Sequence, residues 1–418
     1  FWNDHGSLIP FERVRTLKND PRVLARALAA VRERSREKVL SSLELPFPVE
    51  LLDHLVTLET DLPLESRTAA ESFALSLRVL RKSYDSCENT YLVPVLELYQ
   101  NGRRVPDRYF PQPSFTAPET RFSVSIPLAA GLNSFEIRAT YRGIELGRKN
   151  LSVFRDRGES SPGSLYFLGI GVGTYANSRQ NLEYARADVE ALRDVLVGLK
   201  GSPYSRINSR LLLDSEAKSP AVEAAFRDFL SHAREEDLVV IYLSGHGARN
   251  DRRELCLLTH ESDFSDPRTW YGLSALRDYL VNRPLLQRAV VVMDICHAGS
   301  GIPAGALGQR RDATSEQAAW DMTRETGTLY LAAALGSQRA FEGESFGGGH
   351  GAFTAALLEG LSGKAGTKEG IGSHELARYV IDRVITLTGG NQIPLSNYAS
   401  TLDYKISQPG GASDAPAR

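Results

Sequence analysis

Residues 289–300 read AVVVMDICHAGS. An apolar run rich in β-branched valine ends in Asp294, Cys296 and His297, and small residues follow. Such a run, bounded by turn formers, reads as a strand buried on both faces. Residues 237–247, DLVVIYLSGHG, repeat the plan and end in Ser244, His246 and Gly247. The surrounding chain supplies the companions. SLYFLGIGVG (164–173), INSRLLLD (207–214) and GTLYLAAAL (327–335) read as further strands. Between and after them, residues 182–199, 219–233, 273–283, 352–361 and 373–385 carry helical periodicity, with Ser219 expected as the N-cap of the second helix. Strands that alternate with helices imply an α/β domain: a mostly parallel sheet covered by helices on both faces.

Upstream the pattern changes. YLVPVLELYQNGRRV (91–105) is an alternating strand, an Asn101-Gly102 turn and a return. Alternating runs at 73–84 and across 121–154 continue it, so residues 46–155 are expected to form an all-β immunoglobulin-like sandwich. Residues 1–45 read as a short N-terminal helical segment, with Asn19 or Asp20 as cap and Pro21 in the first turn. A Gly/Pro/Ser-rich linker spans 156–164, the α/β domain 165–407, and a disordered tail 408–418.

A net charge of −2 gives no reason to expect nucleic acid or a membrane surface as partner. No apolar run approaches the roughly 20 residues of a membrane span. The chain begins at Phe1, which leaves the question of a signal peptide open. Its cysteines, Cys87, Cys256 and Cys296, are too few to suggest a disulfide framework, and a reducing cytoplasm is the default.

In open parallel sheets, sites form beyond the carboxyl ends of the strands. Two buried strands deliver a thiol, Cys296, and an imidazole, His246, to that edge. Together they form a minimal nucleophile–base pair. Gly247 lets a backbone N–H approach a substrate oxygen. The pair is separated by 50 residues, a spacing found between the histidine and cysteine of caspases. Cys256, inside an apolar run, reads as a small hydrophobe, and Cys87 as a loop thiol. Zinc held by Cys296, His297, His246 and Cys256 lacks the usual ligand spacing, so no metal is expected.

Residues 165–405 resemble the caspase-like cysteine peptidases, nearest to metacaspases and their bacterial multidomain relatives. The resemblance lies in YLSGHG, MDICHAG, NLEYARADVEAL, GHGAFTAALLEGL and NQIP, in that order. It implies peptide-bond hydrolysis with Cys296 as nucleophile, His246 as general acid/base, and the N–H groups of Gly247 and Cys296 as oxyanion hole. It also implies an S1 pocket of Asp188, Asp294 and Ser244. Caspases place Gln where this chain has Asp294. An acid there favours protein substrates cut after Arg or Lys rather than Asp. The polar loop 301–326 resembles the segment cleaved in caspase-type zymogens, with Arg310 and Arg311 as processing sites for the enzyme itself or an upstream protease. No cofactor is expected; calcium control occurs in some metacaspases, but no EF-hand-like loop appears here. Similarly built bacterial proteins suggest antiviral defence or regulated cell death. The competing reading is a catalytically silent scaffold that binds partners through the sandwich.

Overall fold

The computed structural model describes residues 55–407 except 85–89, 142–143, 157–161, 200–202, 253, 284–285, 287, 298–325, 335–339, 368–369 and 398–402; of Cys296 and His297 it describes the backbone alone. The helical segment expected over 1–45, Cys87, the loop with Arg310 and Arg311, and the tail 408–418 lie outside the described residues. The chain divides into two compact units after Asp156, except that Asn101–Arg103 groups with the second.

The first unit consists of β1 (Val56–Glu59), β2 (Glu65–Thr68), β3 (Ser72–Arg81), β4 (Val95–Gln100), β5 (Arg103–Arg104), β6 (Glu119–Pro127), β7 (Gly131–Tyr141) and β8 (Ile144–Arg155). They form a three-stranded sheet in the order β1-β3-β6 and a five-stranded sheet in the order β2-β8-β7-β4-β5. The pairings are antiparallel apart from β2, which lies parallel to β8. Alternate residues of β3 face inward, and Leu75, Leu77 and Val79 share one core with Leu96, Leu98 and Ile137 of the other sheet. Asn101 and Gly102 both take positive φ (53° and 78°), as a tight turn between β4 and β5 requires.

The second unit begins with β9 (Ser164–Gly171), α1 (Ala185–Gly198), β10 (Arg206–Leu213), α2 (Ser219–Ala224), β11 (Leu238–Arg249), β12 (Leu255–Leu257), β13 (Tyr271–Gly272) and α3 (Ser274–Val281). It continues with β14 (Ala289–His297), β15 (Leu329–Ala332), β16 (Glu342–Gly343), β17 (His350–Gly351), α4 (Ala352–Glu359), β18 (Ile371–Gly372), α5 (Ser373–Leu387), β19 (Leu395–Ser396) and β20 (Lys405–Ser407). The main sheet runs β10-β9-β11-β14-β15-β19; the first five strands are parallel and β19 is antiparallel. Successive residues of β11 feed opposite cores. Val239, Ile241 and Leu243 pack with residues of α2 and α3, whereas Leu238, Val240 and Tyr242 pack with residues of α1, α4 and α5. This is why the strand had to be apolar at every position.

The strand order places the topological switch between β9 and β11, because the chain goes to β10 on one side after β9 and crosses to β11 on the other. In open α/β sheets, ligands bind beyond the carboxyl ends of the strands at such a switch. Ser219 corrects one expectation. Lys218, with extended backbone, is the N-cap, and Ser219 is already helical. Glu261 accepts the Ser219 N–H at 2.8 Å, and the Ser219 hydroxyl contacts that of Thr259 at 3.2 Å, so the orphan donor is satisfied from outside the helix. Among the described residues no helix is long and apolar enough to cross a membrane.

α1 buries Val189, Leu192 and Leu196 and seats its first turn on β9. A Cβ at Gly171 would lie 2.9 Å from the Ala185 carbonyl oxygen and 2.8 Å from Val189 Cγ2. Gly171→Ala is therefore expected to cost about 1–3 kcal/mol of stability through overpacking. Urea unfolding reads this directly; an unchanged midpoint would refute the tight seating of α1.

Candidate active site

β11 and β14 pair in parallel with Ser244 opposite Asp294, His246 opposite Cys296, and Gly247 opposite His297. Neighbouring strands lie about 4.8 Å apart. The register thus brings the His246 and Cys296 backbones together at the carboxyl edge of the sheet. Gly247 also pairs with Leu257 of β12 on its other side.

His246 is held from several directions. Its Nε2 lies 2.9 Å from the Gln180 carbonyl oxygen, in the segment that follows β9. Its backbone N–H donates to the Tyr175 hydroxyl at 2.9 Å. The rings of Tyr175 and Phe264 pack against the imidazole at centroid distances of 5.2 and 5.4 Å. A carbonyl only accepts, so Nε2 carries the proton and Nδ1 is the acceptor in the neutral ring. Nδ1 is buried and has no hydrogen-bond partner among the described residues. Burial lowers the pKa of His246 and outweighs the Gln180 hydrogen bond, which acts in the opposite direction.

Asp188 and Asp294 converge on the other side of the same edge. Asp188 comes from the first turn of α1 and is 3% exposed; Asp294, in β14, is 7% exposed. Gly351 lies between them: a Cβ there would be 2.9 Å from Asp294 Oδ2 and 3.4 Å from Asp188 Oδ2. Asp294 Oδ2 accepts the Thr354 hydroxyl at 2.7 Å, and Thr354 Oγ1 lies 2.6 Å from the hydroxyl of fully buried Tyr242. Because Thr354 spends its one proton on Asp294, Tyr242 must donate to Thr354. Asp188 Oδ1 contacts His350 Nδ1 at 2.7 Å, and the Gly351 N–H reaches Asp188 Oδ2 at 3.4 Å. Burial raises the pKa of Asp188, and His350 opposes the rise. Asp294 is raised by burial first and by the Asp188 charge second. Glu342, in β16, is raised by burial and then by Asp188. Ser244 is also buried, opposite Asp294 in the register.

The remaining candidates divide cleanly. Cys256 is fully buried, and burial pushes its thiol up to about 12, which leaves it inert as a nucleophile. No cluster of three or more His, Cys, Asp or Glu suited to a metal ion occurs among the described residues. Sequence reading missed the parts played by Tyr175, Gln180, Phe264, Thr354 and His350. Gln180 acts through its backbone, which no side-chain pattern signals. His350 and Thr354 stood inside a recognised motif, GHGAFTAALLEGL, without a role.

The Caspase domain family model matches residues 167–404, more than half of the chain. Among solved structures, a protein from Geobacter sulfurreducens is similar at 14% identity, over 60% of this chain and 99% of its own, with a TM-score of 0.41. No curated protein matches the sequence.

Asp294 ties the site to stability. Its raised pKa means that the folded state holds the proton more tightly than the unfolded chain, whose carboxyl titrates near about 3.9. At low pH both states are protonated and nothing is lost. As pH rises above the unfolded value, the unfolded chain releases its proton first and folding weakens, until the raised folded value is passed. Asp294→Asn, uncharged and of the same shape, is expected to stabilise the protein at neutral pH by about 1–3 kcal/mol, with the gain fading toward about pH 4. Thermal unfolding across pH checks this. A loss of stability at neutral pH, or a gain that grows on acidification, would contradict the burial argument.

Proposed function

The chain belongs to the caspase family over residues 167–404, and from that premise we propose that it is a cysteine endopeptidase that cuts after Arg or Lys. The observation that carries the reading is the β11–β14 register, which pairs His246 with Cys296 at the carboxyl edge of the sheet. In this mechanism His246 Nδ1 takes the Cys296 proton, and the thiolate attacks the scissile carbonyl. The N–H groups of Gly247 and Cys296 receive the oxyanion. The imidazolium then gives its proton to the leaving amine, and water hydrolyses the acyl-enzyme with His246 again as base. Two features support this use of the histidine. Burial favours the neutral, proton-accepting form before reaction. The Gln180 carbonyl fixes the tautomer that presents Nδ1 and steadies the imidazolium once formed.

Asp188, Asp294 and Ser244 form the S1 pocket in this reading. Two carboxylates that cannot easily stay charged when buried together suit a guanidinium or ammonium, whose charge relieves their repulsion. The first unit is read as an immunoglobulin-like sandwich. Its strand order supports this, with β4, β7 and β8 adjacent in one sheet, and β1, β3 and β6 in the other. The proposed layout is a helical segment over 1–45, the sandwich over 46–155, a linker over 156–164, the peptidase over 165–407 and a tail over 408–418. Activation by cleavage after Arg310 or Arg311, by the enzyme itself or an upstream protease, belongs to the same reading. A role in defence or regulated cell death rests on analogy with similarly arranged proteins.

A fluorogenic panel with Arg, Lys or Asp at P1, run on the full chain before and after limited proteolysis, tests the proposal. Cys296→Ala and His246→Ala are each expected to lower kcat by roughly 10³-fold or more. Activity that survives Cys296→Ala would overturn the nucleophile, and no activity in the parent protein would return the chain to the scaffold reading. Cleavage after Asp would overturn the pocket and spare the dyad. Gly351→Ala is expected to raise KM for Arg substrates at least about tenfold, because its methyl would enter the space between the two acids. An unchanged KM would place substrate elsewhere.

A further inference from the structure

Asp188 cannot meet a substrate in the arrangement described. Its side chain is 4% exposed, and one carboxylate oxygen is taken by His350 Nδ1 at 2.7 Å. The other groups that act on Asp188 are acidic or neutral: Asp294, Glu342 and Tyr242 lie close enough to feel its charge, and the Gly351 N–H reaches it as a hydrogen-bond donor. Among the described residues, His350 is thus the one basic side chain that contacts Asp188.

We propose that His350 is a specificity-determining residue, an internal N–H donor that occupies Asp188 in the free enzyme and that a P1 guanidinium displaces on binding. The inference rests on the Arg/Lys reading of S1 and deepens it, by naming what the incoming side chain competes with.

Two observations make displacement plausible in physical terms. His350 is tethered lightly: β16 and β17 pair through two residues each, Glu342 with Gly351 and Gly343 with His350. Immediately before it, Gly347, Gly348 and Gly349 all adopt positive φ, at 64°, 87° and 114°. Three glycines in succession let the backbone rearrange at little steric cost, and a Cβ at Gly348 would meet nothing within 4 Å. The His350 side chain is itself 17% exposed, so it already lies on the solvent side of the acid it covers. The imidazole and a guanidinium also make the same contact: each offers an N–H to a buried carboxylate oxygen, and a guanidinium offers enough donors to reach both acids.

The sign of the effect separates this role from a structural one. If His350 merely shaped the pocket, removing it would weaken cation binding. If it competes, removing it leaves a buried acid without its donor, destabilises the free enzyme, and tightens binding of a replacement. The experiment is isothermal titration of the full chain with n-butylguanidinium, which mimics the Arg side chain, and with n-butylurea as the uncharged control. His350→Ala is expected to tighten n-butylguanidinium by about tenfold, the loss of one charge-assisted competitor, with no gain for n-butylurea. His350→Asn keeps an N–H donor on a shorter side chain and should fall between wild type and alanine. Adding Asp188→Asn to His350→Ala should erase the gain.

Equal or weaker n-butylguanidinium binding in His350→Ala, with wild-type binding still abolished by Asp294→Asn, would overturn the role of His350 and leave the S1 reading intact. Equal tightening of n-butylurea would show an opened cavity and also overturn it. Binding that ignores both Asp188→Asn and Asp294→Asn would refute the S1 reading itself, and the inference with it.

Discussion

The parallel register between β11 and β14 is the constraint from which the site follows. Each rung aligns one residue from each strand, so Ser244 with Asp294 and His246 with Cys296 become neighbours together or not at all. A slip of one residue would exchange the faces of a whole strand. Residues feeding the α1/α4/α5 core would then turn toward α2 and α3. The apolar alternation that stabilises the sheet is therefore the same feature that aligns its reactive edge.

Around that edge the protein handles two opposite electrostatic demands. The imidazole is kept neutral and aimed, by burial against Tyr175 and Phe264 and by a backbone carbonyl on Nε2. The acid pair is kept buried and close to Gly351, at a cost in proton affinity that Thr354, the Gly351 N–H and His350 reduce in part. If Asp294 lines S1 as proposed, stability and recognition pull against each other there: burial that raises its pKa opposes folding at neutral pH, yet a buried carboxylate holds a cation far more firmly than an exposed one. Tyr242 extends this bracing into the core, through the contact of its hydroxyl with Thr354.

Much of the architecture was legible in the chain. Unbroken apolar runs such as DLVVIYL and RAVVVMD signalled strands buried on both faces, and the Asn-Gly pair signalled its turn, because these patterns follow from local sterics and hydrophobic periodicity. The start of α2 was misread for a local reason with a distant cause: Ser219 looks like a cap, but Glu261, more than forty residues on, supplies the acceptor. His246 and Cys296 could be named as candidates because reactive residues at strand ends are visible in one dimension, and Asp188 and Asp294 because the motifs around them resemble a known family. Their partners were not. Gln180 contributes a carbonyl common to every residue, and Thr354 and His350 gain meaning only from what lies across the sheet.

The sequence by itself determined the alternation of strands and helices in the second unit and the identity of the thiol, imidazole and carboxylates, since composition and period are local properties. Tertiary structure alone decided which imidazole nitrogen is free, which acid loses its solvent, and which histidine stands beside it. Each of these depends on distance and burial, and residues 162 apart, such as Asp188 and His350, acquire both only when the chain folds.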